Sequence, residues 1–228
     1  MLCGLTELDF TLVSGVGNYS EHKACVMSAA VACWRLSKGE PLGEATDEME
    51  CCCPVIRAFL IRLNDSRLWK NDGHRTEVLM PFVVRLAGTK NKDLEEKRAY
   101  ILVDWSIRTI TADAMERAKL PQQARTLREI EEITNSKQVP EAKKKCRAAA
   151  DAADAAYAVY AAYDDAVAAA MAVAAMAVAT YATYAAAYAV DAAAVAATRA
   201  VAATRAVAVR DGIITQCVAI IDRLISLT

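Results

Sequence analysis

A glycine-containing turn near the start of the chain is the first feature whose residues could do chemistry. The string "SGVGNYS" (Ser14–Ser20) follows a strand-like run and precedes a helical pattern. Its glycines, Gly15 and Gly17, could let backbone N–H groups approach an anion at the start of the helix, next to Ser20. The turn has no third glycine and no following Lys-Ser or Lys-Thr, which argues against a dinucleotide fingerprint and a P-loop. It is therefore either a small anion site or, as we favour, an ordinary glycine turn.

A second group could bind a metal. His22 and Cys25 are three residues apart, and together with Cys53 they could supply three ligands. We favour the alternative, a capped helix end with buried thiols. The chain has only two histidines, so imidazole acid–base chemistry has few candidates. Asp104 lies in an apolar helical pattern and is interpreted as a buried, hydrogen-bonded acid with a structural role.

Arginines follow in the alanine-rich part of the chain. The repeat "VAATRAVAATRAVAVR" carries Arg199, Arg205 and Arg210. They could take part in binding a small anionic ligand or form salt bridges between subunits. We favour a solvated helix surface, where cations near a helix end are favourable for the helix dipole. No catalytic or cofactor motif is recognisable, so no cofactor is predicted and an enzyme of unknown type is the weakest hypothesis.

The composition excludes some classes of function. The chain has 228 residues, a net charge of −1, 55% hydrophobic residues and only 6% aromatic residues. No basic stripe is visible, which disfavours nucleic-acid binding. The eight cysteines show no paired CxxC spacing, and the start of the chain does not resemble a secretory signal. These features predict reduced, mostly buried thiols in the cytoplasm.

The first part of the chain has the pattern of helices. Ser20 is a plausible N-cap of a helix that stops at Gly39, and Pro54 fits the first turn of the next one. A third helix is predicted to kink at Pro81, and a long amphipathic helix and a shorter one, opened by Pro121, follow. The sequence therefore predicts an all-α protein in which residues 1–140 form a helical bundle, with at most a short strand near residues 8–13.

Residues 141–228 are predicted to form a second domain of alanine-rich helices, closed by an apolar C-terminal helix. No glycine or proline occurs from Glu141 to Asp211, and Ala166–Val190 carries no charge. We predict two or three helices in this part, with breaks near Tyr163–Asp165 and Val190–Ala193, and a helix end at Gly212. A membrane span is disfavoured because alanine contributes almost nothing to insertion.

The uncharged segment Ala166–Val190 has apolar residues on two faces. One face alternates steps of three and four like a coiled-coil seam: Val167, Met171, Ala174, Val178, Tyr181, Ala185 and Tyr188. The other comprises Val173, Ala177, Thr180, Tyr184 and Ala187. A helix that is apolar on both sides needs partners on both sides. The sequence therefore predicts a homo-oligomer, with a dimer favoured, whose interface includes Tyr181, Tyr184 and Tyr188.

Four strings carry a resemblance to a known family: "ACVMSAA" (Ala24–Ala30), "CPVIRAFLIRLND" (Cys53–Asp65), "RLAGT" (Arg85–Thr89) and "RAYILVDWSIR" (Arg98–Arg108). In this order, and with the alanine-rich tail, the chain resembles a family of uncharacterised helical proteins of actinobacteria, other bacteria and phage-like genomes. The resemblance implies no activity. Members often carry an Asp-His-Pro where this chain has "DEMECC", which puts a role for that histidine in doubt.

The sequence thus leads to a main hypothesis and an alternative. The main one is a non-enzymatic, self-associating helical scaffold or interaction protein. The alternative is a protein that binds or sequesters a small anionic ligand, such as a signalling nucleotide.

Overall fold

The computed structural model describes residues 9–66, 68–117, 120–157 and 206–227. This part of the chain is mostly helical and includes a small three-stranded sheet. The chain divides into two compact units, Met1–Asn91 and Lys92–Thr228. Sequence analysis predicted a domain boundary near residue 140; a helix begins there, at Val139, and the domain division itself stays a prediction.

The first unit holds three strands and three α-helices among its described residues. The strands are β1 (Thr11–Leu12), β2 (Gly17–Asn18) and β3 (Lys23–Ala24). The helices are α1 (Val26–Ser37), α2 (Pro54–Asp65) and α3 (Asp72–Val83). Their core is built from large, fully buried side chains: Leu12, Met27, Ile56, Phe59, Leu60, Leu79 and Leu86.

The small sheet has the order β1-β3-β2, with β1 parallel and β2 antiparallel to β3. Gly17 pairs with Ala24 and has a positive φ of 86°. A Cβ at Gly17 would lie 2.6 Å from the Cα of Ala24, so no other residue fits there without moving β3. The prediction of a helical protein is confirmed for most of the described chain, but the sheet adds two strands that were not predicted.

The start of α1 differs from the prediction. Cys25, not Ser20, is its N-cap, and Ser20 lies in a 3₁₀ turn, Tyr19–Glu21. The reason is that β3 keeps the chain extended between the two, and His22 adopts a left-handed φ of 54°. The predicted stop at Gly39 is confirmed, because α1 ends at Ser37 and Gly39 has a φ of 73°.

The second helix follows the prediction closely and the third does so in part. Pro54 occupies the first turn of α2, where its missing N–H costs nothing. Pro81, where a kink was predicted, lies inside α3, which begins at Asp72 and ends at Val83.

The second unit is helical throughout its described secondary structure. Its α-helices are α4 (Lys92–Trp105), α5 (Ala112–Arg117), α6 (Pro121–Arg128), α7 (Val139–Tyr157) and α8 (Ala206–Ile225). A π-helical segment, Ser106–Thr111, joins α4 to α5, and a 3₁₀ turn, Ser136–Gln138, precedes α7. The predicted long amphipathic helix is therefore confirmed with an inserted π segment. Within that segment the Thr111 hydroxyl donates to the Ser106 carbonyl at 2.8 Å.

The last helix runs through Gly212, so the predicted helix end there is wrong. Glycine costs about 1 kcal/mol relative to alanine inside a helix. The apolar face that follows it offsets this cost: Ile213, Ile214, Cys217, Ile220, Ile221 and Leu224 are all buried. The predicted breaks near Tyr163–Asp165 and Val190–Ala193, like the whole of Ala166–Val190, lie outside the described residues. Over the part of the chain that is described, no helix has the length and apolar character needed to cross a membrane.

Candidate functional site

The Ser14–Ser20 turn contacts a carboxylate of the chain itself. The N–H of Gly15 donates to Asp65 Oδ1 at 2.8 Å, and the Ser14 hydroxyl lies 3.3 Å from the same oxygen. Asp65 is the last residue of α2, so the turn is tied to the end of that helix. The carboxylate of Asp65 therefore occupies the position that the sequence suggested for an external anion.

The other two residues predicted at this turn also have structural partners. Gly17 faces the backbone of β3, as described above. The N–H and the hydroxyl of Ser20 both donate to Asn18 Oδ1, at 3.0 and 2.8 Å. The polar groups of the turn named here therefore have partners within the chain, and the turn is part of the small sheet.

The three candidate metal ligands take different local roles. His22 is exposed at the left-handed position before β3. Cys25 caps α1, its sulfur accepting from the N–H of Ser28 at 3.2 Å, and burial raises the pKa of its thiol. Cys53 is buried before α2, and its N–H donates to Thr89 Oγ1 at 3.0 Å. Within the described ranges, no three His, Cys, Asp or Glu side chains come together in a way that could hold a metal ion.

A buried polar cluster that the sequence analysis missed holds the first unit together. Asn64 is fully buried, accepts from the N–H of Val26 at 3.2 Å and donates to the carbonyl of Val13 at 2.8 Å. Arg75 donates to the carbonyls of Asn64 and Leu12 at 2.8 and 3.1 Å, and pairs with Asp72. These contacts join β1, α1, α2 and α3. In the sequence, the Asn64-Asp65 pair at the end of α2 is the one feature that points to this cluster.

A half-open cleft of about 480 Å³ lies in the second unit. Three elements line it: α4, the segment from 132 to 135, and α8. The lining residues are Asp93, Glu96, Lys97, Tyr100, Ile101, Glu132, Ile133, Thr134, Asn135 and Arg223. Ligand pockets in proteins commonly have this volume but are mostly apolar, whereas half of the residues that line this cleft are charged. The sequence analysis did not find this cleft, because its walls come from parts of the chain more than 30 residues apart.

The floor of the cleft is apolar and its wall is hydrogen-bonded. Tyr100 and Ile133 are buried, and the Tyr100 hydroxyl donates to Glu96 Oε1 at 3.2 Å. Burial is the main cause that raises the pKa of the Tyr100 phenol. The N–H of Ile133 donates to Asp104 Oδ1 at 3.0 Å, and Arg108 donates to both carboxylate oxygens of Asp104. The predicted hydrogen bonds of Asp104 are therefore present, but its side chain is 15% exposed and not fully buried, and its structural role stays a prediction.

The segment after Ile133 is held by one glutamine. Gln138 Oε1 accepts from the N–H groups of Thr134 and Asn135 at 2.8 and 3.2 Å, and its Nε2 donates to the carbonyl of Glu132 at 2.9 Å. Asn135 caps the 3₁₀ turn in return, forming a capping box. This side of the cleft is therefore preformed.

The remaining predicted site residues are not described by the structure. Arg199, Arg205, Tyr181, Tyr184 and Tyr188 lie outside the described residues, so the arginine and interface predictions stay predictions. The backbone of Arg210 belongs to α8.

Comparisons with known proteins do not identify a relative. No family model, no curated protein and no solved structure matches this chain.

Proposed function

We propose that this protein is a non-enzymatic interaction protein that associates with itself through the uncharged alanine-rich segment Ala166–Val190. The contrast between that segment and its neighbour α7 carries the proposal. Along α7 the buried side chains follow one stripe with steps of three and four: Val139, Ala142, Cys146 and Ala149. The sequence of the uncharged segment predicts apolar residues on two helix faces, and we infer that it needs a second partner surface.

The two helices that flank Ala166–Val190 in the sequence, α7 and α8, support this proposal. Both bury their apolar faces within the second unit. The buried stripe of α7 is described above, and α8 buries Ile214, Cys217 and Ile221. Over the described parts of the chain, Val16 and Leu36 are the large apolar side chains that are exposed, at 39% and 38%. Isolated apolar residues of this kind are normal on a monomer surface. We therefore assign self-association to the segment Ala166–Val190 and not to the described surface.

A two-fold dimer is the form we favour, because it is the commonest closed arrangement. Tyr181, Tyr184 and Tyr188 would lie near the contact, where tyrosine combines apolar area with a polar tip. We place the protein in the cytoplasm, in keeping with seven free cysteines among the described residues. The alternative function, anion capture at the Ser14–Ser20 turn, would have to displace Asp65 from Gly15.

Light scattering coupled to size exclusion tests the proposal. We expect a mass of about twice 24.6 kDa for the intact chain. Tyr184→Arg, which introduces a charge into the second apolar stripe, should shift the mass toward that of the monomer. Leu36→Arg is the matched control, since it adds the same charge at an exposed apolar residue of the first unit. A monomeric intact chain at tens of micromolar, or dissociation by the control alone, would overturn the proposal.

A further inference from the structure

Two cations line the cleft of the second unit from different elements and have room for an anionic partner. The side chain of Lys97, on α4, has no hydrogen-bond or ion-pair partner among the described residues. Arg223, on α8, forms a long, exposed ion pair with Glu132, with Nη2 and Oε1 3.9 Å apart. This separation exceeds hydrogen-bond length, so the guanidinium keeps its donors available. A guanidinium and an ammonium facing one hollow are suited to a carboxylate.

The same cleft also presents carboxylates. Glu96 accepts the hydrogen bond from the Tyr100 hydroxyl through Oε1, which leaves acceptor capacity on both of its oxygens. Asp93 and Glu132 also line the cleft, and Glu132 lies next to Arg223. A ligand that carries only negative charge would therefore meet repulsion here, while one with both a carboxylate and an ammonium group would match both signs.

Between the charged groups the floor of the cleft is apolar. Tyr100, Ile101 and Ile133 are 2%, 9% and 1% exposed and all line the cleft. Of the three, Ile101 keeps the most exposed surface. An apolar part of a ligand would therefore contact Ile101, and burying apolar surface contributes about 25 cal/mol per Å². Charged groups at the edge and an apolar floor together specify a small amphipathic ligand.

The walls are fixed before any ligand binds. Asp104 holds the backbone of Ile133 against α4, and Gln138 fixes the residues that follow. On the third side, Arg98 of α4 donates to the carbonyl of Leu224 at 2.9 Å, beside Arg223. A preformed site loses less entropy on binding than one that must be ordered.

We propose that this cleft binds a small zwitterion with an apolar body, of the class of apolar dipeptides. Its carboxylate contacts Lys97 and Arg223, its ammonium group contacts Glu96 and Glu132, and its apolar part lies on Ile101. The volume of about 480 Å³ exceeds that of a single amino acid and suits a dipeptide. This inference does not depend on self-association, because every residue it uses is in the described part of the second unit.

Calorimetric titration of the full chain with three matched probes tests the ligand class. L-leucyl-L-leucine carries both charges, its N-acetyl derivative lacks the ammonium group, and its C-terminal amide lacks the carboxylate. We expect the dipeptide to bind and each blocked form to bind about tenfold more weakly or not at all. No binding of the dipeptide up to millimolar concentration, or equal affinity for all three probes, would overturn the proposal.

Substitutions at exposed lining residues test the position of the site. Arg223→Gln and Lys97→Gln should each weaken dipeptide binding about tenfold while leaving the weak binding of the amide unchanged. The controls are Arg147→Gln on α7 and Lys92→Gln at the start of α4, which are exposed and do not line the cleft. Circular dichroism shows whether each variant is folded. Equal affinity of the cleft variants and the controls would place any binding elsewhere and refute the inference.

Discussion

Arg98 and Leu224 are 126 residues apart in the sequence and 2.9 Å apart in the structure, where Arg98 Nε donates to the carbonyl oxygen of Leu224. Nη2 of the same side chain donates to the carbonyl of Leu227 at 3.1 Å. Arg98 is only 2% exposed. A cation at the C-terminal end of a helix is favourable for the helix dipole and satisfies carbonyls that have no partner within the helix. Arg98 thereby fixes the end of α8 on α4.

Replacing Arg98 with methionine should therefore loosen α8. The variant keeps the apolar part of the side chain but leaves the carbonyls of Leu224 and Leu227 without this donor. We expect a loss of about 2–4 kcal/mol in the free energy of unfolding, measured by urea titration. Hydrogen exchange should rise first in Ala206–Ile225. Arg147→Met, at an exposed position on α7, is the control, and equal stability of the two variants would contradict the assigned role.

The contact between Arg98 and Leu224 also shows what sequence reasoning could and could not find. The predictions at Pro54 and Gly39 were correct because proline and glycine constrain the backbone locally, whatever surrounds them. The prediction of Ser20 as an N-cap was wrong because β3 pairs with two other strands. No local sequence pattern predicts that pairing.

The candidate sites were harder to predict for the same reason. The glycine turn was found, but its partner Asp65 lies 50 residues from Gly15. Likewise, the cleft depends on Arg223 reaching a hollow lined by α4, and amphipathic spacing within either helix contains no information on that approach. Residues that act alone can be predicted from one sequence, whereas residues that act together depend on the fold.

Asn64→Asp should destabilise the first unit although it preserves the shape of the side chain. The amide of Asn64 uses both ends, accepting from Val26 N–H and donating to the Val13 carbonyl. In the variant a buried oxygen faces that carbonyl, and we expect a cost of about 2–4 kcal/mol in thermal or urea unfolding.

Asn71→Asp is the matched control for this substitution. Asn71 caps α3 by accepting from the N–H of His74 at 2.8 Å, and aspartate caps helices as well as asparagine does. If Asn64→Asp is no more destabilising than this control, the buried donor at Asn64 does not contribute as the structure indicates.

The buried thiols of the second unit should make stability fall at alkaline pH. Burial raises the pKa of Cys146 and of Cys217 to about 12, from 9.0 in an unfolded chain. Both states keep these thiols protonated below pH 9, so their contribution is fully present there. Between pH 9 and about 12 the unfolded chain releases the protons and the native state does not, which lowers stability on the order of 1 kcal/mol per pH unit for each thiol.

Urea unfolding at pH 8, 9 and 10 under reducing conditions measures this effect. The double variant Cys146→Ala, Cys217→Ala should lose less stability per pH unit than the intact chain, even though its stability at pH 8 is lower. The same slope in both proteins would show that these thiols titrate alike in the native and unfolded states. In native protein at pH 8, the partly exposed Cys51 should react with a thiol reagent well before Cys146 and Cys217 do.

The π segment supplies a pair of substitutions with opposite expected signs. Ser106 is fully buried, and its hydroxyl has no hydrogen-bond partner among the described residues. Removing an unsatisfied buried hydroxyl, with alanine favoured in helices, should stabilise the protein by about 1 kcal/mol in Ser106→Ala. Thr111→Val deletes a hydroxyl that donates to the Ser106 carbonyl at 2.8 Å, and should cost about 1 kcal/mol. Urea unfolding of both variants measures the two changes in stability. A loss of stability in Ser106→Ala would contradict the prediction. It would mean that the Ser106 hydroxyl has a partner, such as a buried water molecule, that stabilises the π turn.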